Sequence, residues 1–377
     1  MKPDIRIAIV VPSRPDRRET FAAAHVAGLS EVVLVLTGGV LPTHDDAGHS
    51  LLSTTRFGRL ERRFRSTLLG QDKKAQLRQR IARRLREAKV DVVLAEFGNT
   101  GAEMLPSCEA AGIPLVPYFL GFDAYREDQL AMYANYERLF AGARTIVSVS
   151  KSMIEHLVRI GAPRGRLVYN SCGADVDHFA LARAESAPPH FLAVGRFVDK
   201  KAPHLTLLAF ERAVRQRPNA RLTMVGDGEL WNACAQLVKA LGLGEQVDLC
   251  GPRSAVQIAE LLKGSRAFVQ HSLVTSTNDH EGTPVAILEA MASGIPIIST
   301  RHADIPEVVA DGERGLLCDE GDIDAMASNM VRLIDEPDLA GRMGRAGRAY
   351  VVAHHRVQDR IAELQRILIS AARAGTS

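Results

Sequence analysis

Short apolar runs alternate with longer amphipathic segments along nearly the whole chain. This alternation is typical of strands joined by crossover helices in a parallel sheet, and it predicts the α/β class. The predicted strands are Ile5–Val11, Val32–Leu36, Val90–Ala95, Ile113–Phe119, Thr145–Val149, Phe191–Val194, Arg221–Val225, Val247–Leu249, Arg266–Gln270 and Ile295–Ser299. The last segment, Val357–Ala372, has apolar residues at helical spacing and predicts a terminal amphipathic helix.

The strand pattern is interrupted by an irregular, proline-bearing stretch over residues 182–190. A chain of 377 residues exceeds the size at which single cores stop growing, about 250–300 residues, so two domains are expected. We therefore predict two doubly wound parallel-sheet domains facing across a cleft, over residues 1–186 and 187–355. The terminal helix, within residues 356–377, is predicted to pack back on the first domain.

Composition places the chain among ordinary globular proteins, with 46% hydrophobic and 24% charged residues. No apolar run approaches the roughly 18 residues that cross a bilayer, and the first strand is too short and interrupted for a signal peptide. We therefore expect a cytoplasmic protein. The five cysteines are scattered without C-x-x-C spacing, which indicates neither a disulfide framework nor a thiolate zinc site.

Positive charge is concentrated in Arg56–Lys89, where ten Arg and three Lys stand against three acidic residues, a local balance of +10. Apolar residues in this stretch allow one buried face with a cationic face opposite: Leu68, Leu69, Leu77, Ile81 and Leu85. Such a face suits anionic lipid headgroups and predicts a peripheral protein on the inner membrane face. A solvated helix is the alternative. Nucleic acid is not expected as a partner, because little aromatic stacking surface accompanies the charge.

The densest motif lies between His280 and Gly294. Thr283 followed by Pro284 predicts an N-cap and a first helical residue, and Ser293-Gly294 predicts a stop, so a helix is expected up to Ala292. Free amides and the positive dipole end at its N-terminus favour a phosphate or a sugar oxygen.

Two glutamates belong to this motif. Glu281 precedes the predicted helix and Glu289 lies within it, so the two are spaced to bind two parts of one elongated ligand. The alternative is that Glu281 caps the helix and Glu289 is a solvated surface acid. A carboxylate among apolar neighbours and beside a core strand favours a specific partner for Glu289.

A pair of cations marks the start of the second half of the chain. Arg196 directly follows a predicted strand, and Lys201 precedes a helix opened by Pro203, a placement that can neutralise a diphosphate. Solvated loop cations are the alternative, and the adjacent Lys200 is expected to point to solvent. None of the glycine turns after the strands fits a Walker A or G-x-G-x-x-G sequence, which disfavours a P-loop NTPase or a dinucleotide dehydrogenase.

At these residues the chain resembles the retaining nucleotide-sugar glycosyltransferases of family 4. Glu281 and Glu289, seven residues apart, resemble the E-x7-E region of that family. Further segments match it in order and spacing: Gly195-Arg196-Phe197 with Lys201, Gly226-Asp227-Gly228, Gly294-Ile295-Pro296, Ile305–Val308 and the Gly315-Leu316-Leu317 turn. The resemblance covers residues 187–350. It implies a two-domain B-type fold that holds the acceptor mainly in the first domain and the sugar nucleotide in the second.

The resemblance also implies a role for each matching residue. Arg196 and Lys201 would hold the diphosphate and offset charge on the leaving nucleotide. Glu289 would bind the ribose hydroxyls, and Glu281 would bind the transferred sugar. Further donor contacts would come from Gly195, Gly282, Thr283, Pro284 and Val285. Such enzymes need no metal or other cofactor for the transfer, which agrees with the lack of a clear D-x-D pair at a strand end.

In the first half the resemblance is carried by Ala95–Gly98 and Gly121-Phe122-Asp123, which look like the branch that builds exopolysaccharide and lipopolysaccharide units. The family commonly has a histidine where this chain has Leu120, so that contact to the donor sugar is lost or replaced. Asp123 is either a turn residue or an acceptor-binding residue. Glu96, which follows a predicted strand, is a candidate for acceptor binding and for the general base.

The sequence thus predicts transfer of a sugar from a nucleoside-diphosphate sugar to a glycan or lipid-linked acceptor, with retention of configuration. One alternative is a catalytically silent nucleotide-sugar or polyanion-binding protein, which Leu120 and the basic stretch would suit. Another is a phosphorylase or epimerase on the same fold. The donor base and sugar, the acceptor, the general base and the oligomeric state are left open.

Overall fold

The computed structural model describes residues 5–13, 20–52 and 73–374. Its contacts divide the chain into two compact units, one of Met1–Asn170 with Arg360–Ser377 and one of Ser171–Asp359. The second unit therefore begins before residue 187, the predicted start of the second domain. The physical reason is backbone pairing, since Ala174 donates to the carbonyl of His355 and Ala182 donates to that of Ser293.

The first unit is built on a seven-stranded sheet. Its strands are β1 Ile7–Val10, β2 Val32–Thr37, β3 His44–Asp45, β4 Val92–Glu96, β5 Leu115–Phe119, β6 Ile146–Ser148 and β7 Leu167–Tyr169. They lie in the order β3-β2-β1-β4-β5-β6-β7, and all neighbours are parallel except β2 and β3. The short strands β3 and β7 were not predicted, because two or three residues carry too little periodicity to detect.

The helices of the first unit cover the sheet. They are α1 Thr20–Gly28, α2 Lys73–Glu87, α3 Gly98–Ala111, α4 Phe122–Tyr125, α5 Glu127–Met132, α6 Glu137–Gly142 and α7 Lys151–Arg159. The central strands β1, β4 and β5 are buried along their whole length, as expected for strands covered on both faces. The terminal helix, Val357–Arg373, packs beside the end of α1, where Ile361 lies against Gly28, and Ser30, just after α1, donates its backbone amide to Gln365.

Helix α2 carries the described part of the predicted basic segment, whose residues 56–72 lie outside the described residues. Its buried face includes Leu77, Ile81 and Leu85, which confirms that part of the predicted apolar face. Part of the positive charge of α2 is neutralised within the protein, because Lys74 and Arg78, on the same side of the helix as the buried residues, both pair with Glu103 of α3, at 2.7 and 2.8 Å.

The second unit contains a six-stranded sheet. Its strands are β8 His190–Val194, β9 Arg221–Val225, β10 Val247–Gly251, β11 Ala267–Gln270, β12 Ile297–Thr300 and β13 Gly315–Cys318. They lie in the order β10-β9-β8-β11-β12-β13, and every neighbouring pair is parallel. The main helices around this sheet are α8 Pro203–Gln216, α9 Trp231–Ala240, α10 Ala255–Lys263, α11 Val285–Ala292, α12 Ile305–Val308, α13 Ile323–Asp335 and α14 Pro337–His354. Two doubly wound α/β units confirm the predicted fold class.

Strand β13 corrects one local prediction. The segment Gly315-Leu316-Leu317 was interpreted as a turn, but it is a fully buried strand that pairs with β12 in the register Ile297 to Gly315. Glycine is needed where β13 begins, because a Cβ atom on Gly315 would lie 2.3 Å from the carbonyl oxygen of Ile297.

Two glycine turns meet where β8 and β9 end. Gly226 has a φ of +139°, and a Cβ atom there would lie 1.9 Å from the carbonyl oxygen of Gly195. Phe197 donates its backbone amide to the carbonyl of Asp227 at 2.7 Å. The second turn therefore supports the first, which carries Arg196.

Hydropathy of the helices bears on membrane insertion. Among the helices in the described part of the chain, none is long and apolar enough to span a bilayer.

Candidate functional site

The carboxyl edge of the second sheet brings the two predicted motifs together. Lys201 ends a short 3-10 turn after β8, and Glu281 lies in the loop after β11, the strand next to β8. The Nζ atom of Lys201 is 3.3 Å from Oε1 of Glu281 and 3.4 Å from the amide oxygen of Gln270. Parallel strands end at one edge of a sheet, which explains how residues so distant in sequence form one site.

The predicted cations Arg196 and Lys201 line one cavity, together with Gly195 and Gln270. The side chain of Lys201 is mostly buried, whereas Arg196 is exposed. The cavity thus has one fixed cation in its wall and one that extends into solvent, an arrangement suited to a polyanionic group.

Glu281 is a buried carboxylate, 7% exposed. Burial raises its pKa, but the positive charges of Lys201 and Lys200 outweigh this effect and bring the pKa below its usual value. Glu281 is therefore ionised at neutral pH.

The prediction that Lys200 points to solvent is wrong. Its Nζ atom lies 3.0 Å from Oδ1 of Asp279, 3.2 Å from the carbonyl oxygen of His280 and 4.0 Å from Oε1 of Glu281. Folding brings these acceptors to the end of the strand. The side chain of Lys200, which is only 18% exposed, therefore bonds to them and not to solvent. Lys200 therefore holds the loop that carries Glu281 in place, so that replacing Lys200 would also disturb this loop.

Helix α11 begins one residue later than predicted. Pro284, with φ −64° and ψ 122°, is the N-cap, and Thr283 makes no capping hydrogen bond. Pro284 has extended dihedrals, so the first helical residue is Val285. Gly282 and Thr283 are buried, and Val285 is partly exposed at the point where the amides of the first helical turn lack intrahelical acceptors.

Glu289 is a half-buried carboxylate on α11. Ile287, Leu288 and Ala290 beside it are fully buried, and among the described residues no side chain or backbone group bonds to its carboxylate. Burial raises the pKa of Glu289 to about 7. A half-buried acid without an internal partner is suited to accept hydrogen bonds from a ligand.

This raised pKa predicts a pH-dependent stability. Because the carboxyl of Glu289 titrates at about 7 when folded and an unfolded glutamate titrates at about 4.3, the free energy of unfolding should fall as the pH rises through this interval. We expect Glu289→Gln to be more stable than wild type above pH 7, by up to about 3 kcal/mol. Near pH 4 the two should be alike. Urea unfolding at both pH values measures the difference, and a gain independent of pH would contradict the assignment.

In the first unit, Glu96 and Asp123 lie at or after strand ends but are fully buried. Glu96 pairs with Nδ1 of His25 at 2.7 Å. Asp123 accepts backbone hydrogen bonds from Gly98, Gly121 and Leu120 at 2.7, 2.8 and 3.2 Å. The carboxylate of Asp123 therefore links the segments that follow β4 and β5. Leu120 contributes to this link through its backbone amide.

Three residues that contact predicted site residues, directly or through a neighbouring side chain, were not predicted from the sequence: His25, His302 and Glu320. His25 lies in a helix with no motif around it. His302 and Glu320 follow β12 and β13, so inspection of all strand ends could have found them.

These observations define the class of the protein. Two α/β units, each built on a wholly or mainly parallel sheet, are the fold of the B-type glycosyltransferases. The structure of HepE from Anabaena, solved in complex with UDP-glucose, has this fold: it aligns over 97% of this chain and 100% of its own length, with a TM-score of 0.77 and 16% identity.

Sequence comparisons identify the family. The model described as "Glycosyltransferase Family 4" matches residues 18–178, and that described as "Glycosyl transferases group 1" matches residues 177–350. The chain belongs to the family 4 glycosyltransferases of the B-type fold.

Two curated relatives illustrate this membership. The provisionally named colanic acid biosynthesis glycosyltransferase WcaL of Escherichia coli is 28% identical over 68% of this chain and 65% of its own length. The amylovoran biosynthesis glycosyltransferase AmsK of Erwinia amylovora is 30% identical over 64% of this chain and 61% of its own length. The matched part thus spans less than two thirds of either relative.

Proposed function

We propose that the protein transfers a sugar from a nucleoside-diphosphate sugar to a glycan or lipid-linked acceptor of polysaccharide or glycolipid biosynthesis, with retention of anomeric configuration. The observation that carries this proposal is the pairing of Lys201 with Glu281, because it joins the two motifs shared with family 4 enzymes in one site. The named functions of WcaL and AmsK support the acceptor class.

Each side chain has a task suited to its surroundings. Arg196 and Lys201 bind the diphosphate and stabilise the negative charge that develops on the leaving nucleotide. Glu281, held ionised by lysines, accepts hydrogen bonds from hydroxyls of the transferred sugar. Glu289 accepts those of the ribose. The backbone from Gly282 to Val285 lies between the two glutamates and contributes amide donors.

The chemical step is proposed to need no divalent metal. Two cations and a helix N-terminus provide charge stabilisation of the kind that a metal ion otherwise supplies. The structural neighbour HepE binds UDP-glucose, which makes UDP-sugars the first donors to try.

A transfer assay tests the proposal. Purified protein is incubated with UDP- and GDP-sugars and with glycan or lipid-linked acceptors, with and without a chelator, and the product linkage is determined by NMR. We expect product with the donor's anomeric configuration in both conditions. Binding of nucleotide-sugar without transfer to any acceptor would instead favour the catalytically silent binding protein.

Association with an anionic membrane surface belongs to the same proposal and is supported by the charge of residues 56–89. We expect the protein to bind vesicles containing phosphatidylserine with an affinity that falls as salt rises, since each cation near the surface contributes about 1 kcal/mol. Replacing Arg80, Arg83 and Arg84 of α2 by glutamine should weaken this binding in a sedimentation assay.

The design of that variant follows from the contacts of α2. Arg86 is left unchanged because it donates to the carbonyl of Ala110 and anchors the helix. A matched control replaces Lys239, Lys263 and Arg332 of the second unit by glutamine. Equal vesicle binding by wild type, variant and control would identify α2 as a solvated helix.

A further inference from the structure

The loop between β11 and α11, which carries Glu281, is held from two sides. On one side Lys200 bonds to Asp279 and to the carbonyl of His280. On the other side the loop contacts residues that follow β12 and β13, the two strands beyond β11 in the sheet order. The position of the Glu281 carboxylate therefore depends on groups outside the motifs that predicted the site.

The second contact runs through the buried imidazole of His302. The backbone amide of Glu281 donates to Nε2 of His302 at 3.0 Å, and Nδ1 of His302 lies 2.6 Å from Oε1 of Glu320. A backbone amide can only donate, and an ionised carboxylate can only accept. The pair of bonds therefore selects the neutral imidazole that carries its proton on Nδ1.

The turn that supplies Glu320 makes further contacts with the same loop. The other oxygen of Glu320 accepts the backbone amide of Val274 at 2.9 Å, and Gly321 donates its amide to Nε2 of His271 at 2.8 Å. His302 and His271 are both fully buried. The residue after His302, Ala303, has a φ of +46°, which is a strained value for a residue with a Cβ atom. A strained backbone beside a fully buried imidazole indicates that surrounding contacts hold this geometry.

We propose that His302, oriented by Glu320, is a positioning residue of the donor site that sets the Glu281 peptide and thereby aims the Glu281 carboxylate at the transferred sugar. The inference rests on the proposed function for the identity of the ligand, but not for the geometry. His302 acts through Glu281 and does not touch the substrate.

The imidazole state is tested without any ligand. In protein labelled with 15N-histidine, the long-range proton–nitrogen spectrum distinguishes the two neutral tautomers, and His302→Gln assigns the signals. We expect His302 as the Nδ1-protonated form in wild type and in Asp319→Ala, a control in the same turn, and a changed spectrum in Glu320→Ala. A His302 spectrum unchanged by Glu320→Ala would overturn the proposal.

The positional effect is tested by binding. The probes are UDP and UDP-glucose, with GDP and GDP-mannose as the second pair, measured by calorimetry. We expect His302→Leu to weaken the sugar nucleotide about tenfold more than the bare nucleotide. His302→Gln, whose amide oxygen can still accept the Glu281 amide, should recover most of this loss. Equal losses for nucleotide and sugar nucleotide in both variants would overturn the proposal, and circular dichroism verifies that the variants fold.

Failure of the proposed function gives a different result. If no nucleotide or sugar nucleotide binds to wild type, the donor assignment is wrong, whereas the tautomer measurement still decides whether His302 positions Glu281.

Discussion

Replacing Lys201 by alanine should weaken the binding of UDP by tenfold or more, and Arg196→Ala should do the same. Each cation lines the cavity in which the diphosphate is proposed to bind, and a charge-assisted hydrogen bond contributes about 1.5–3 kcal/mol. Lys201→Ala should have the larger effect, because it also removes the closest cation from the buried carboxylate of Glu281. Calorimetric titration of each variant measures these losses.

The control for this prediction is Lys239→Ala, which removes an exposed lysine on α9. Lys200→Ala is not a control, because it removes the contacts that hold Asp279 and His280. The double variant Lys201→Ala, Glu281→Gln separates the two effects of Lys201: it restores charge balance without restoring the cation. Recovery of full UDP affinity in the double variant would contradict direct binding of the diphosphate by Lys201.

Removing the two glutamates should affect different parts of the donor. We expect Glu289→Ala to weaken UDP and UDP-glucose alike, because the ribose is present in both. Glu281→Ala should weaken UDP-glucose by tenfold or more and leave UDP nearly unchanged, since UDP lacks the glucose whose hydroxyls Glu281 is proposed to bind. The physical basis is that Glu281 precedes α11 and is held ionised by lysines, whereas Glu289 lies on the helix.

Turnover kinetics provide a second measurement of the separate roles of Glu281 and Glu289. Glu281→Ala should lower kcat/KM for the donor with little change in product inhibition by UDP, while Glu289→Ala should weaken both. Glu245→Ala, which removes an exposed glutamate on the surface of the second unit, is the matched control. Indistinguishable profiles for Glu281→Ala and Glu289→Ala would contradict a ligand bound in two parts.

Local patterns predicted much of the fold and several residues of the site. Strands β8, β9 and β11 were predicted to within one or two residues, because buried parallel strands are short apolar runs bounded by polar residues. Arg196 and Lys201 were selected because parallel sheets place ligands beyond the carboxyl ends of their strands. Glu281 was selected because it precedes a predicted helix N-terminus and lies in an E-x7-E pattern with Glu289. The start of α11 was misplaced by one residue, since capping residues predict a boundary only approximately.

Contacts between distant segments could not be read from those patterns. Lys200 and Lys201 are adjacent lysines with similar surroundings in the sequence, and only the folded loop after β11 gives Lys200 its partner Asp279. Glu96 and Asp123 were predicted as acceptor-binding residues at strand ends. Folding buries both and supplies His25 and three backbone amides as their partners.

The order of the second sheet explains why the proposed donor site could be recognised only in the tertiary structure. Strands β8, β11, β12 and β13 are neighbours in the sheet although long segments separate them in the chain. Their carboxyl ends supply Lys201, Glu281, His302 and Glu320 in that same order, and each contacts the next. Periodicity and turn residues act over a few positions and so determine which segments become strands. Strand order and register depend on packing of the whole sheet, and they decide which of the strand-end residues become partners.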